Sequence, residues 1–588
     1  MKNSGNITIK GSYTSSNYPY IGGFFGVNNY TEIYLKNCEN AGDISYEATA
    51  PNASVGGFFG YDTNNTRFEM DYCVNSGDIT YSGIAGSYVH FGGFGGFRNV
   101  SKPTVITNST NTGKMTLTGE QTATQSKSVA YNVGGFIGRN SGSNCSISNS
   151  TNGELNDTTG KGTITSGALP AAVGIAGFIG YTTTALTISG CKNYGPVDVT
   201  GKAGQSNTYR AHIAGIIGTS ADAIGFTVTN CENYGPISYS ASASTGRVDV
   251  AGIVATTQGS ATSTISGCKN GGVISYKATT SGGEISFGGI IGTTQGTTTV
   301  SDCVNLASGE IYSSGKATTN YNVGGVAGST ATDGSSLINC TNYGHVNQAK
   351  ASGGTTQIGG VVGYAYRCKE IIGCNNFGKI TFSGTATSKN GNVGGVIGYV
   401  RFQYTNAVVT IKDCGNYADL EFAGTAGDYY AGGVIGYCRS IEAGEAHLEN
   451  LRNVANLTFK SEGNKSSYLG GISGTFGSDA VGHVLQGGVF YGKLKGLGME
   501  GKIALTIGTP AGRLEGGRRV LNTQVGGSIV FAEGEEPDAS GDVVVVEQEI
   551  PITADNYYNY MYRQAITKEV AEGDGCSVIT TKPAVPTK

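Results

Sequence analysis

A block of the form Asn-Cys-x-Asn-x-Gly-x-Ile recurs about thirteen times along this chain. Each copy is followed, fourteen or more residues later, by Gly-Gly-Φ-Φ-Gly, where Φ is apolar. One copy reads Asn37-Cys38-Glu39-Asn40-Ala41-Gly42-Asp43-Ile44, with its partner at Gly56-Gly57-Phe58-Phe59-Gly60. The period is about 37 residues. Repetition on that scale marks a solenoid, a propeller or an array, in which each repeat buries its apolar face on its neighbours. Length therefore does not imply several domains, because a stack of repeats has no natural size limit.

Each repeat carries three short apolar runs. The first precedes the cysteine, as in Phe226-Thr227-Val228-Thr229-Asn230-Cys231. The second follows Asn-x-Gly, as in Ile44-Ser45-Tyr46, and the third is the glycine block, as in Val323-Gly324-Gly325-Val326-Ala327-Gly328. The runs alternate or are briefly continuous, with turn residues between them, which is strand patterning. Three strands and three corners per repeat describe one coil of a parallel β-helix. The expected fold is all-β: a β-solenoid of about thirteen coils over 1–495, closed by a C-terminal cap over 496–588. Within the cap, 541–550 reads as a strand and 554–571 as the best helix candidate. An open solenoid end would expose unpaired strand edges, which gives the cap its physical reason.

Stacking turns repeat positions into columns. The second asparagine of the block is present at Asn193, Asn233 and Asn342, among others. It is expected to take the left-handed turn conformation and to bond its amide from coil to coil. Cys191, Cys231 and Cys268 hold a column that Ser109, Ser150 and Leu451 occupy elsewhere, so the thiol acts as a small buried side chain. Parallel Cβ vectors about 4.8 Å apart are too far for a disulfide, so these thiols are expected to be free. Tyr46, Tyr81, Tyr239, Tyr276, Phe382, Phe422 and Phe459 lie two positions past the first apolar residue after the turn, on the inward face.

The 97 glycines do not signal disorder, because apolar residues recur in register throughout. The 38 basic and 42 acidic side chains leave a net charge of −4, without the basic excess of a nucleic-acid binder. No run approaches 18 apolar residues, so no transmembrane helix is expected. The opening Asn3-Ser4-Gly5-Asn6-Ile7 matches Asn40-Ala41-Gly42-Asp43-Ile44. The chain thus starts in the middle of a repeat, and an export signal is expected upstream of Met1.

The glycine blocks Gly134-Gly135-Phe136-Ile137-Gly138, Gly288-Gly289-Ile290-Ile291-Gly292 and Gly394-Gly395-Val396-Ile397-Gly398, joined to the Asn-Cys-x-Asn-x-Gly block, resemble the GLUG-type repeats of bacterial surface proteins and adhesins. The resemblance covers about 1–495, with Phe, Ile or Val where leucine is usual. It implies a surface-exposed bacterial β-solenoid, associated with the outer membrane and often part of a larger adhesin or lipoprotein. It carries no catalytic residue to this chain.

Catalytic signals are poor. His90, His212, His345, His447 and His483 form no metal-binding spacing, and His90 and His212 are expected on the outer face. No cofactor or metal site is expected. Asp43, Asp78, Glu154, Glu310 and Asp419 share a turn column with Lys114, His345 and Lys379, a solvated mixture. Residues 119–130, 156–172 and 200–211 lengthen one connection, and 399–410 and 437–448 lengthen another. Around the second lie Tyr364, Tyr366, Arg367, Tyr399, Arg401, Phe402, Tyr404, Tyr437 and Arg439. Tyrosine and arginine together compose binding hot spots. This strip is the candidate ligand site, on which sugar rings could stack; the bland alternative is a ladder that covers the corner. The expected function is a non-catalytic surface scaffold binding a glycan or a host or bacterial protein, other cell-surface proteins included. A polysaccharide-cleaving β-helix enzyme, lyase or glycoside hydrolase, is the alternative, and a plain spacer is the third reading.

Overall fold

The structure is a computed structural model. It describes all residues but 14–18, 30–31, 64–66, 122–130, 168–172, 201–209, 222–223, 241–245, 260, 279–282, 318, 332–333, 350–353, 387–389, 403–407, 441–444, 461–465, 478–483, 498–504, 515–518, 538, 541–542, 562–565 and 588. The chain is a parallel β-solenoid of about 12 turns with three faces. It divides into two compact units, Met1–Thr299 and Val300–Lys588.

In the first unit a coil runs Phe226–Thr229, Glu232–Asn233, Ile237–Tyr239, Arg247–Ala251 and Val254–Thr257. The three apolar runs are all present. The glycine run is itself divided by the bend at Gly252-Ile253, and the Cys-x-Asn block adds a two-residue strand. Neighbouring coils pair in parallel, in register here, where Val197, Ile237 and Ile274 lie side by side, and with one shift elsewhere, between Ala85 and Tyr88. Identical positions therefore superpose, and Phe24, Phe58, Phe94, Phe136 and Phe178 form one stack with centroids 4.6–5.0 Å apart. Tyr46, Tyr81, Tyr239 and Tyr276 point inward and are buried.

The asparagine column is a continuous amide chain. Asn152 donates to Asn193 Oδ1 at 2.8 Å, Asn193 to Asn233 at 2.7 Å, and Asn233 to Asn270 at 2.8 Å. The second proton of each amide goes to the carbonyl at the corner, as from Asn193 to Gly195 at 2.9 Å. From Asn40 to Asn270 every asparagine of this column is buried, so the polar groups of the corner are satisfied inside the wall. One expectation is corrected. The second asparagine sits in a strand, not in a left-handed turn. The left-handed residue is three positions earlier, directly before the cysteine column: Asn37, Asn108, Asn149 and Asn230 have φ of 48–52°, and Gly190 and Gly267 take the same place. A chain leaving the strand must reverse there, and asparagine and glycine tolerate that conformation at least cost.

The cysteines are buried free thiols. Cys191 Sγ lies 3.5 Å from the Ser189 carbonyl, the partner role that Ser109 Oγ plays toward Thr107 at 2.7 Å. Burial pushes the Cys73 thiol up to about 11. The turn carboxylates also have a structural role. Asp43 Oδ1 accepts the Asp78 backbone N–H at 2.9 Å, and Asp78 Oδ1 accepts that of Lys114 at 2.8 Å.

In the second unit the same coil recurs, with Asn305, Asn342, Asn376, Asn416 and Asn453 linked at 2.8–2.9 Å. Phe382, Phe422 and Phe459 point inward. The coil runs on past 495: Leu505–Gly508, Ala511–Leu514 and Arg519–Leu521 each pair in parallel with the coil before. Asn522, with φ 49°, still holds the left-handed corner. The sequence period fades earlier because Phe490 and Gly488 replace the asparagine and the cysteine. Closure comes from Gln524–Pro537, which pairs antiparallel with Val543–Pro551 and parallel with Ser577–Val578. The expected helix over 554–571 is instead a 3₁₀ turn, Tyr557–Tyr560, and a short α-helix, Lys568–Gly573. Thr567 caps that helix by accepting from the Val570 N–H.

Candidate functional site

The two strands flanking each glycine corner turn their outward sides toward one another. In the second unit this places two columns face to face. Before the corner, Asn322, Gln357, Asn392, Tyr430 and Tyr468 are register partners. After it, Ser329, Tyr364, Tyr399, Tyr437 and Thr475 are register partners. The rings of Tyr430 and Tyr437 meet across the corner, with centroids 4.3 Å apart. Where Gln357 and Asn392 replace the tyrosines of the first column, less volume fills the space. A groove of about 190 Å³ remains, walled by Gln357 and Asn392 on one side and by Tyr364, Tyr399 and Tyr437 on the other. Asn320, Thr355 and Asn390 form its upper rim opposite Arg401 and Arg439.

Of the residues singled out by sequence, Tyr364, Tyr399, Arg401, Tyr437 and Arg439 come together in this groove. Tyr366 and Arg367 sit beside it: the Tyr366 ring stacks on Tyr364 at 5.6 Å, and the Arg367 guanidinium lies 5.1 Å from that ring. Tyr404 and the Phe402 side chain lie outside the described residues, as do 122–130, 168–172, 201–209, 403–407 and 441–444 of the lengthened connections.

The strip is not exposed as its composition suggested. Tyr364 is 6 % and Tyr399 8 % exposed. Tyr364, Tyr399 and Tyr437 stack on each other at 5.2 Å, within 12° of parallel. Their faces are already used, so a sugar ring cannot lie on them; phenol edges and guanidinium groups are what the groove presents. Burial pushes the phenols of Tyr364 and Tyr399 up, opposed by the nearby guanidinium groups of Arg401 and Arg439. These phenols are neutral hydrogen-bonding groups at physiological pH.

Sequence reading missed Gln357 and Asn392. They are 2 % and 1 % exposed, and Gln357 Oε1 and Asn392 Oδ1 have no hydrogen-bond partner. Arg401 Nε is buried and equally unpartnered. Such atoms are costly, about 1–3 kcal/mol each, and call for a compensating group. The signal was positional. Both stand two residues before the first glycine of their block, the place His90 and His212 hold in the first unit.

Those histidines are also corrected. Expected on an outer face, both are fully buried in the corresponding space of the first unit. His90 Nδ1 is 3.1 Å from Asn132 Nδ2. His212 Nδ1 is 3.1 Å from Asp249, which also receives Arg247 Nε at 3.0 Å and Thr293 Oγ1 at 2.7 Å. Desolvation dominates at both imidazoles and holds them below the ordinary histidine range. No grouping of three or more His, Cys, Asp or Glu suited to a metal occurs among the described residues. No helix among them is long and apolar enough to cross a membrane. No family model, curated protein or solved structure matches this chain.

Proposed function

We propose that this chain is a non-catalytic binding scaffold, displayed on a bacterial cell surface, whose glycine-corner groove takes a short stretch of glycan. One observation carries the reading: two acceptors, Gln357 Oε1 and Asn392 Oδ1, and one donor, Arg401 Nε, are buried without partners around one space. A polyhydroxyl ligand supplies both complements at once. The groove falls below the roughly 300–1,000 Å³ of a drug-sized pocket, so it suits one ring with the rest of the chain in solvent. Its described lining offers amides, phenols and guanidinium groups but no carboxylate pair of the kind glycosidic hydrolysis uses, which favours holding over cleaving at this place. The surface location rests on the resemblance to GLUG-type repeats.

The test is a panel of immobilised neutral and acidic oligosaccharides, probed with the wild-type chain and a Gln357→Leu/Asn392→Leu variant. Removing unpartnered acceptors is expected to leave thermal stability equal or higher while binding falls at least tenfold. No binding by the wild type, or equal binding by the variant, would sink the reading. Release of new reducing ends from a bound glycan would replace it with the enzymatic one.

A further inference from the structure

Resting on that glycan reading, we infer that the groove selects a sugar bearing a carboxylate, a uronic or sialic acid, seated between Arg401 and Arg439. The two arginines are register partners on adjacent coils, so their backbones stand about 4.8 Å apart. A planar carboxylate matches guanidinium geometry and can accept from both. Both arginines are held from below. Arg401 lies against the Tyr364 phenol with its guanidinium 5.7 Å from the Tyr366 ring, and Arg439 lies against the Tyr399 phenol. Pre-placed donors lose little freedom when a ligand arrives.

Charge balance points the same way. The chain as a whole carries a net −4. Yet among the described residues lining the groove, the two arginines are the only charged ones. Like charges one coil apart repel, and the repulsion is relieved by an anion shared between them. The phenols beneath cannot supply it, because burial keeps them protonated. The equivalent space in the first unit shows the other solution: there Asp249 stands in the wall, and Arg247 and His212 converge on it. In the second unit the position of Asp249 belongs to Gln357 and Asn392, neutral acceptors suited to the hydroxyls of the same sugar.

The test compares trigalacturonate with its methyl ester, and sialyllactose with lactose, by calorimetric titration of the full chain. The acids are expected to bind at least tenfold tighter than their neutral counterparts, and the preference is expected to shrink between 50 and 500 mM NaCl as screening rises. Arg401→Gln and Arg439→Gln are expected to erase the preference while retaining neutral-sugar binding and the far-UV circular dichroism of the wild type. Equal binding of acid and ester by the wild type would overturn this inference and leave the glycan reading standing. Binding of neither would overturn both.

Discussion

At the scale of single residues, the most consequential feature is what the coil does with polar side chains that face away from the core. An imidazole two positions before a glycine corner is shut into a dry space rather than left in water. His90 and His212 both show this, and burial lowers the proton affinity of each below 6.5. The consequence for stability has a definite sign. Above about pH 6.5 the imidazole is neutral in both folded and unfolded chain, so folding carries no protonation penalty. Below it the unfolded histidine takes up a proton that the folded one refuses. Each histidine then lowers stability by about 1.4 kcal/mol per pH unit, down to its own folded value. Asp249, which Arg247 holds below the usual carboxylate range against the opposing effect of burial, works in a lower window: its contribution is present above about pH 3.9 and is lost as pH falls through its folded value. The urea midpoint followed by circular dichroism is therefore expected to fall between pH 7.5 and 5.5. In a His90→Gln variant, where the amide oxygen can still receive Asn132, the fall should be smaller. An identical fall in both proteins would show that His90 protonates freely in the folded state.

At the scale of the repeat element, the glycine corner and the asparagine column are one device. A Cβ at Gly252 would lie 2.3 Å from Asn270 Oδ1 and 2.3 Å from the Gly289 carbonyl oxygen, both belonging to the next coil. Neither can retreat without opening the amide chain or the parallel ladder. Gly252→Ala is expected to cost about 1–3 kcal/mol or more. Gly573→Ala, at a position with open space around it, should be close to neutral. Comparing the two melting temperatures checks the claim, and equal values would mean the corner has slack. This coupling also explains what could be read before any coordinates. Positions facing the core are fixed by periodicity, so the inward tyrosines and the asparagine column follow from spacing alone. The left-handed residue was legible too, in the Asn, Asp or Gly that precedes most cysteines of the column, with Tyr72 as an exception, but the asparagine three residues later is the more regular signal. The groove was only half legible. Tyr364, Tyr399 and Tyr437 announce a column, whereas Gln357 and Asn392 become their neighbours only because the corner folds two outward faces together. A period-two pattern says which side a residue takes, not what that side will meet. The run of coil beyond 495 was hidden for a different reason: Phe490 fills the asparagine position and keeps the geometry while losing the motif.

At the scale of the whole molecule, the repeated coil separates folding from recognition. Core, amide column and glycine corner recur almost unchanged, while the position before the corner and the one after it vary from coil to coil. His212, Asp249, Gln357, Asn392 and Tyr430 all occupy the former. A groove can thus be emptied, filled or charged at one coil without touching the ladder that supports it. Stability in such an architecture is a sum of coil terms and nearest-neighbour terms. A whole coil should then be removable where its two neighbours are compatible. Deleting residues 231–267 of the first unit joins Asn230 directly to Cys268, restoring Asn-Cys-x-Asn-x-Gly across the junction. Asn193 then faces Asn270 as it faced Asn233, and Val197 faces Ile274 as it faced Ile237. Arg247 and Asp249 leave together; Lys192 and Lys269 lose Glu232, and Glu284 loses Arg247, but these pairs are partly exposed and contribute little. The shortened protein is expected to be soluble, with an unchanged mean residue ellipticity in the far ultraviolet and a cooperative melt. Deleting only 231–249 joins Asn230 to Val250 and sets a glycine corner where the asparagine strand should stand; that protein is expected to aggregate or to lose its β signal. The outcome that would break the argument is equal damage from both deletions, since it would mean that coil-to-coil register is not what holds the chain together.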